Sequence, residues 1–144
     1  MKIIIDADAC PVVDIAVGTA KERNIECVIV CDNTHSIQKD GAVTVVVDKG
    51  CDSADCKIAN ITQKGDVVIT QDYGLAALVL GKGGKALNQN GLIYTDANIE
   101  NLLFSRYIGR KERMAGNRTK GPQKRTPLND ADFVKAFERC LDGG

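Results

Sequence analysis

Lys2-Ile3-Ile4-Ile5-Asp6-Ala7-Asp8-Ala9-Cys10-Pro11 is the stretch on which the fold turns. Three consecutive isoleucines leave no polar face, so a strand built from them is covered on both sides, as in a parallel sheet. Asp6 ends that strand. Pro11 then suits the first turn of a helix, packed through Val12, Val13, Ile15, Ala16, Thr19 and Ala20 and reaching about Arg23.

The same alternation continues outward. Residues 25–31 and 43–47 read as a second and a third strand. Asp52 or Ser53 can cap a helix that runs to about Gln63, and Gly65-Asp66 turns the chain into a fourth strand over 67–70. A helix over 73–81 follows, and Asn90-Gly91 marks a hairpin within 85–94. Thr95 can cap a helix from 96 to about 108. Residues 109–127, with Gly109, Gly116, Gly121, Pro122 and Pro127, read as a basic loop. A last amphipathic helix covers 130–141, with Asn129 as candidate cap. The expectation is an α/β domain over 1–108 with a mainly parallel sheet in a three-layer α/β/α arrangement. The loop and a C-terminal helix over 128–144, packed on the domain, complete it. No Walker or GxGxxG signature is present, and Gly81-Lys82-Gly83-Gly84 ends a helix rather than opening one.

At 144 residues, 44% hydrophobic and 26% charged, the chain has the composition of one globular domain. Its core suffices without a disulfide or zinc staple. No leader-like or membrane-length apolar run is visible, so the expectation is a cytoplasmic protein with no membrane partner. Six cysteines (Cys10, Cys27, Cys31, Cys51, Cys56, Cys140) then lie in a reducing compartment. Neither Cys27/Cys31 nor Cys51/Cys56 has the tight zinc-knuckle spacing, and buried small hydrophobes are the better reading.

Aspartates collect where the strands end. Asp6 closes the first strand with Asp8 two residues on, Asp32 closes the second, and Asp72 follows the fourth. Asp52 and Asp55, three apart at a helix start, can point the same way. All belong to the carboxyl edge of a parallel sheet, where such folds bind ligands. Two carboxylates ~5 Å apart repel by about 3 kcal/mol at an effective dielectric of 20, so a cluster calls for a cation. Hard oxygen donors suit Mg²⁺ or Mn²⁺, and no organic cofactor is expected. The plainer reading stands beside this one: an aspartate after a strand is ordinarily a helix cap or a turn residue. His35, in the polar loop after the second strand, and Cys10, at a helix start that can lower a thiol pKa, are secondary candidates.

The net charge of zero conceals a separation. Residues 1–105 carry 9 Lys and Arg against 14 Asp and Glu. Residues 106–125 carry eight basic residues (Arg106, Arg110, Lys111, Arg113, Arg118, Lys120, Lys124, Arg125) against Glu112 alone. Such a stretch can neutralise the phosphates of a nucleic acid, or can simply be favourable charge at a helix end with a solvated loop behind it.

Four ordered motifs are similar to those of the YaiI/YqxD family of bacterial proteins. They are Asp6-Ala-Asp8-Ala-Cys10-Pro11, Gly50-x-Asp52-x-Ala54-Asp55, Gly65-Asp66-x-Val68-Ile69-Thr70-x-Asp72 and Ala86-Leu87-Asn88-x-x-Gly91-x-x-Tyr94-Thr95. That family resembles the PIN-like nucleases, which implies acids binding Mg²⁺ or Mn²⁺ at the carboxyl edge. By position, Asp6, Asp55 (or Asp52) and Asp72 would be those acids, with Asp8 in the motif, while Asp32 and His35 align with no motif.

The function expected from the sequence is therefore metal-dependent hydrolysis of a phosphodiester, RNA favoured, with Asp6, Asp8, Asp55 and Asp72 catalytic and Asp52 among the ligands. Two rivals remain. One is a haloacid-dehalogenase-like phosphatase, with Asp6 as nucleophile, Asp8 as general acid and Thr70 as its hydroxyl residue. The other is a non-catalytic nucleic-acid-binding protein in which the acids are caps.

Overall fold

Six strands form one sheet in the order β3-β2-β1-β4-β5-β6. They are β1 (Lys2–Asp6), β2 (Glu26–Asp32), β3 (Val43–Val47), β4 (Val67–Ile69), β5 (Lys85–Leu87) and β6 (Ile93–Tyr94). The computed structural model describes residues 1–7, 10–32, 38–47, 54–114 and 125–143, with backbone alone at 106–114. All pairings are parallel except β5 with β6. The helices are α1 (Val13–Arg23), α2 (Ala54–Ile61), α3 (Tyr73–Gly81), α4 (Asp96–Met114) and α5 (Pro127–Leu141).

The isoleucines of β1 divide between two cores. Ile3 and Ile5 pack with Val13, Ala16, Val17 and Ala20 of α1 and Phe133, Phe137 and Cys140 of α5. Ile4 packs on the other face with Ile58 of α2, Leu75, Ala76 and Val79 of α3, and Ile99 of α4. This is the expected three-layer α/β/α architecture. All three isoleucines are fully buried, and Cys27 and Cys31 are buried beside them in the first core. Among the described residues no helix is long and apolar enough to cross a membrane.

Three helix boundaries differ from the sequence reading, the first being that α1 starts at Val13, past Pro11. α4 continues to Met114 instead of stopping near 108. A helix interior tolerates a glycine such as Gly109 at about 1 kcal/mol, and the Arg, Lys, Glu and Met that follow are good helix formers. α5 starts at Pro127, with Thr126 as N-cap. Proline fixes φ for the first helical position, so Pro127 opens the helix instead of closing the loop. Asn129 is the capping-box partner rather than the cap: its Oδ1 accepts the Thr126 N–H at 2.9 Å.

The hairpin turn is held by Asn88, whose Oδ1 accepts the N–H groups of Asn90 and Leu92, each at 2.9 Å. Gly91 has φ +89°, and a Cβ there would stand 2.5 Å from the Asp132 carbonyl oxygen of α5. Only glycine lets the turn lie this close to the helix. At the amino edge, Lys2 Nζ lies 2.6 Å from Asp66 Oδ2, joining the starts of β1 and β4. The Asp66 carboxylate also accepts from the backbone of Lys2 (3.0 Å) and of Gln63 (2.8 Å).

Burial of Asp66 opposes its ionisation, yet the Lys2 ammonium and these two N–H groups outweigh it and hold its pKa below the ordinary value. A depressed carboxylate pKa contributes stability that is fully present above the unfolded-state value near ~4 and is lost as pH falls through the folded value. Asp66→Asn is expected to cost about 2–3 kcal/mol at neutral pH and to reduce the loss of stability between about pH 5 and 2. Urea denaturation across that range, wild type against variant, checks both statements. Gly91→Ala is expected to lower stability by about 2 kcal/mol or more, through strain at positive φ and the clash with α5, and a thermal melt reads it.

Candidate active site

The crossover from β1 to β2 runs through α1 on one face, whereas β3 reaches β4 through α2 on the other. The connections thus part on either side of β1, and the crevice at this switch lies past the carboxyl ends of β1 and β4. The register Ile5↔Ile69 brings the next residues, Asp6 and Thr70, side by side although they are 64 apart in sequence.

Thr70 is 2% exposed and is fixed from every side. Its hydroxyl donates to Asp6 Oδ2 at 2.8 Å and accepts the Asp72 N–H at 3.0 Å. Its N–H bonds to the Leu87 carbonyl at 3.0 Å, extending the ladder with β5. Its carbonyl accepts the hydroxyl of Tyr94 at 3.1 Å. Burial, with Tyr73 and Asp72 nearby, pushes the Tyr94 phenol above its ordinary range and keeps it a donor. Tyr73 meets the Tyr94 ring edge-on, with centroids 5.9 Å apart. The sequence reading did not single out Tyr94 as a site residue. The signal was there, in a phenol on a short strand beside the hairpin, because a buried tyrosine needs a partner for its hydroxyl.

Asp72 caps α3, with Oδ1 accepting from Gly74 N at 2.8 Å and Leu75 N at 3.2 Å. The cap and site readings of this residue are compatible: its carboxylate serves the helix, while its backbone N–H ties the residue to the Thr70 hydroxyl. Asp55 is half-buried in the first turn of α2, and half-buried Asp32 ends β2 at the same edge. Asp8, His35 and Asp52 lie outside the described residues. Among the described residues no three His, Cys, Asp or Glu converge closely enough to hold a metal ion.

Two expectations change. Cys10 is not activated: burial raises its thiol pKa, and Asp6 adds to this, while the Val12 backbone and the charge of Arg125 only partly oppose them. The dipole argument fails because α1 begins three residues later, at Val13. Arg125, expected to meet phosphate, is bound internally. Its Nε donates to Asp130 Oδ1 (2.9 Å), its Nη1 to Asn90 Oδ1 (2.7 Å) and its Nη2 to the Gln89 carbonyl (2.8 Å). Arg106, Arg110, Lys111 and Arg113 fall on the last turns of α4, their side chains outside the described residues, as are Arg118, Lys120 and Lys124 altogether.

The fold and edge define a doubly wound α/β protein in which the Asp6 carboxylate, the Thr70 hydroxyl and the Asp72 backbone N–H form one network at the switch point. Residues 4–143 match the family described as "Uncharacterized BCR, YaiI/YqxD family", and the chain belongs to that family. It is 52% identical over 137 residues to a UPF0178 protein of Ruminiclostridium cellulolyticum, covering 95% of this chain and 90% of that one. It is 48% identical over 141 residues to a UPF0178 protein of Exiguobacterium sibiricum, covering 98% and 96%. No solved structure matches it.

Because asparagine caps a helix as well as aspartate does, the two roles of Asp72 separate by substitution. Asp72→Ala is expected to cost about 1 kcal/mol of stability and Asp72→Asn only a few tenths, as measured by thermal unfolding. Asp72→Asn is thus the variant that removes charge while keeping the fold.

Proposed function

We propose that this protein is a Mg²⁺- or Mn²⁺-dependent phosphodiesterase acting on nucleic acid, with RNA the favoured substrate. The observation that carries the reading is the Asp6 carboxylate held by the Thr70 hydroxyl at the switch point, with Asp72 bonded to the same hydroxyl through its backbone N–H. The resemblance to PIN-like nucleases supports it, as does the basic stretch that follows the acidic body.

The donor chemistry fits such an ion. Carboxylate oxygens in an incomplete set suit a hard cation that keeps several waters and takes up substrate phosphate. Asp6, Asp72 and Asp55 on α2 do not by themselves converge, so Asp8 and Asp52 would have to complete the set with them. A bound ion supplies charge for the phosphoryl oxygens and a lowered pKa for water. Thr70 donates to Asp6 Oδ2 and so fixes the orientation of that carboxylate, while α3 holds Asp72 from behind. The cations of the 106–124 stretch would neutralise the backbone of the bound strand.

The test is cleavage of a mixed panel of RNA and DNA oligonucleotides with and without Mn²⁺, for wild type, Asp6→Asn and Asp72→Asn. Wild type is expected to cut, EDTA to abolish cutting, and each variant to lose roughly a hundredfold or more. Full activity in both variants, or no metal-dependent cleavage of any substrate, would overturn the reading. The second outcome leaves a binding protein. A phospho-aspartate trapped at Asp6 would assign a phosphatase instead.

A further inference from the structure

Tyr94 reaches the candidate site from the far side of β5. It stands on β6 at the edge of the sheet, whereas Thr70 follows β4, two strands away. In register, Val68 pairs with Ala86 and Ala86 with Tyr94, and all three side chains belong to the same core. Neighbouring strands lie about 4.8 Å apart, so the phenol has to pass over β5 to meet the Thr70 carbonyl. The small side chain of Ala86 on that face leaves it room. The hydroxyl donates to that carbonyl at 3.1 Å.

The residue that makes this reach is itself fixed. Asn98 holds both of its chain neighbours: Nδ2 donates to the Ile93 carbonyl at 3.0 Å, and Oδ1 accepts the Thr95 N–H at 2.9 Å. The ring of Tyr94 is 2% exposed and meets Tyr73 edge-on. Thr70, by contrast, lies one residue beyond the last pair of the β1–β4 ladder, Ile5↔Ile69. Its peptide groups are held by Leu87 on the N–H side, at 3.0 Å, and by Tyr94 on the carbonyl side. With both groups held, the Cα–Cβ bond has one direction, and the hydroxyl meets Asp6 Oδ2 at 2.8 Å. Freeing the carbonyl frees the backbone rotation that aims that side chain.

We propose that Tyr94 is a positioning residue: its hydroxyl, through the Thr70 carbonyl, fixes the Thr70 side chain and thereby the direction of the Asp6 carboxylate. Its effect on turnover rests on the phosphodiesterase reading above, while its effect on the conformation of Thr70 does not. The alternative is a phenol that serves the core alone. Phenylalanine fills nearly the same volume and keeps the ring contact with Tyr73, so a core role would survive Tyr94→Phe with Thr70 undisturbed. A positioning role would not.

The experiment has two readouts on the full chain. The first, in EDTA, is the set of three-bond NMR couplings to the Thr70 methyl carbon. Wild type is expected to show one staggered rotamer and Tyr94→Phe an average over several. Asn98→Ala, which loosens both neighbours of Tyr94, is expected to shift the couplings the same way by less, and it decides the matter if Tyr94→Phe does not fold. The second is Mn²⁺-dependent cleavage of an RNA oligonucleotide. Tyr94→Phe is expected to lower kcat about threefold to tenfold with KM nearly unchanged. Thr70→Val is expected to lose more, and Tyr94→Phe/Thr70→Val no more than Thr70→Val alone, because the phenol acts through that hydroxyl. Asp66→Asn, which lowers stability at the opposite edge, is expected to keep the wild-type kcat. Wild-type couplings or an unchanged kcat in Tyr94→Phe, or additive losses in the double variant, would overturn the positioning role alone. Absence of cleavage by the wild type would overturn the phosphodiesterase reading, and the couplings would then decide the positioning role by themselves.

Discussion

The register of β1 on β4 is the constraint from which the site follows. Once Ile5 stands opposite Ile69, Asp6 and Thr70 have no choice but to be neighbours. The residue beside Asp6 must then satisfy two demands at once. A second carboxylate would repel the first, and an apolar side chain would leave the Asp72 N–H without its acceptor in a buried place. A hydroxyl donates once and accepts twice, so it can face an acid and an amide together. Thr70 does this, and the Tyr94 hydroxyl on its carbonyl closes the remaining side.

The two ends of the same strand pair are held by different contacts. At the amino edge Asp66 is buried and neutralised by Lys2 at 2.6 Å, and two backbone N–H groups complete its shell. That end is finished, and its contribution is stability. At the carboxyl edge the charges of Asp6 and Asp72 are ordered by hydrogen bonds from a hydroxyl and from a helix terminus. A hydroxyl or an amide N–H fixes the direction in which a carboxylate points.

Much of the fold was legible because each signal was local. Ile3-Ile4-Ile5 announced a strand buried on both faces, and Asn90-Gly91 announced the hairpin. The order of acids after strands marked a candidate edge, since every parallel strand ends on the same side. The misreadings came where one residue type serves two purposes. Gly109 and Pro127 were read as loop residues, but the first is tolerated inside α4 and the second opens α5. Asp72 proved to be both a cap and a member of the network. Tyr94 and Arg125 were harder, because their roles are set by partners 24 and 35 residues away in sequence. No periodicity or spacing records such contacts.

The net charge of zero is the property that most misleads about partners. A phosphate group responds to charges within about one Debye length, ~8 Å at physiological salt, and not to the total over the chain. The acids of the body and the cations from Arg106 onward are separated in sequence. Asp130, not a site acid, takes the charge of Arg125 at 2.7 Å. Spending a local carboxylate on Arg125 has a physical consequence. It fixes that residue beside the hairpin through a pair whose charges cancel there. Neutrality summed over such a chain is a statement about its composition, while its affinity for a polyanion depends on where the uncancelled charges stand.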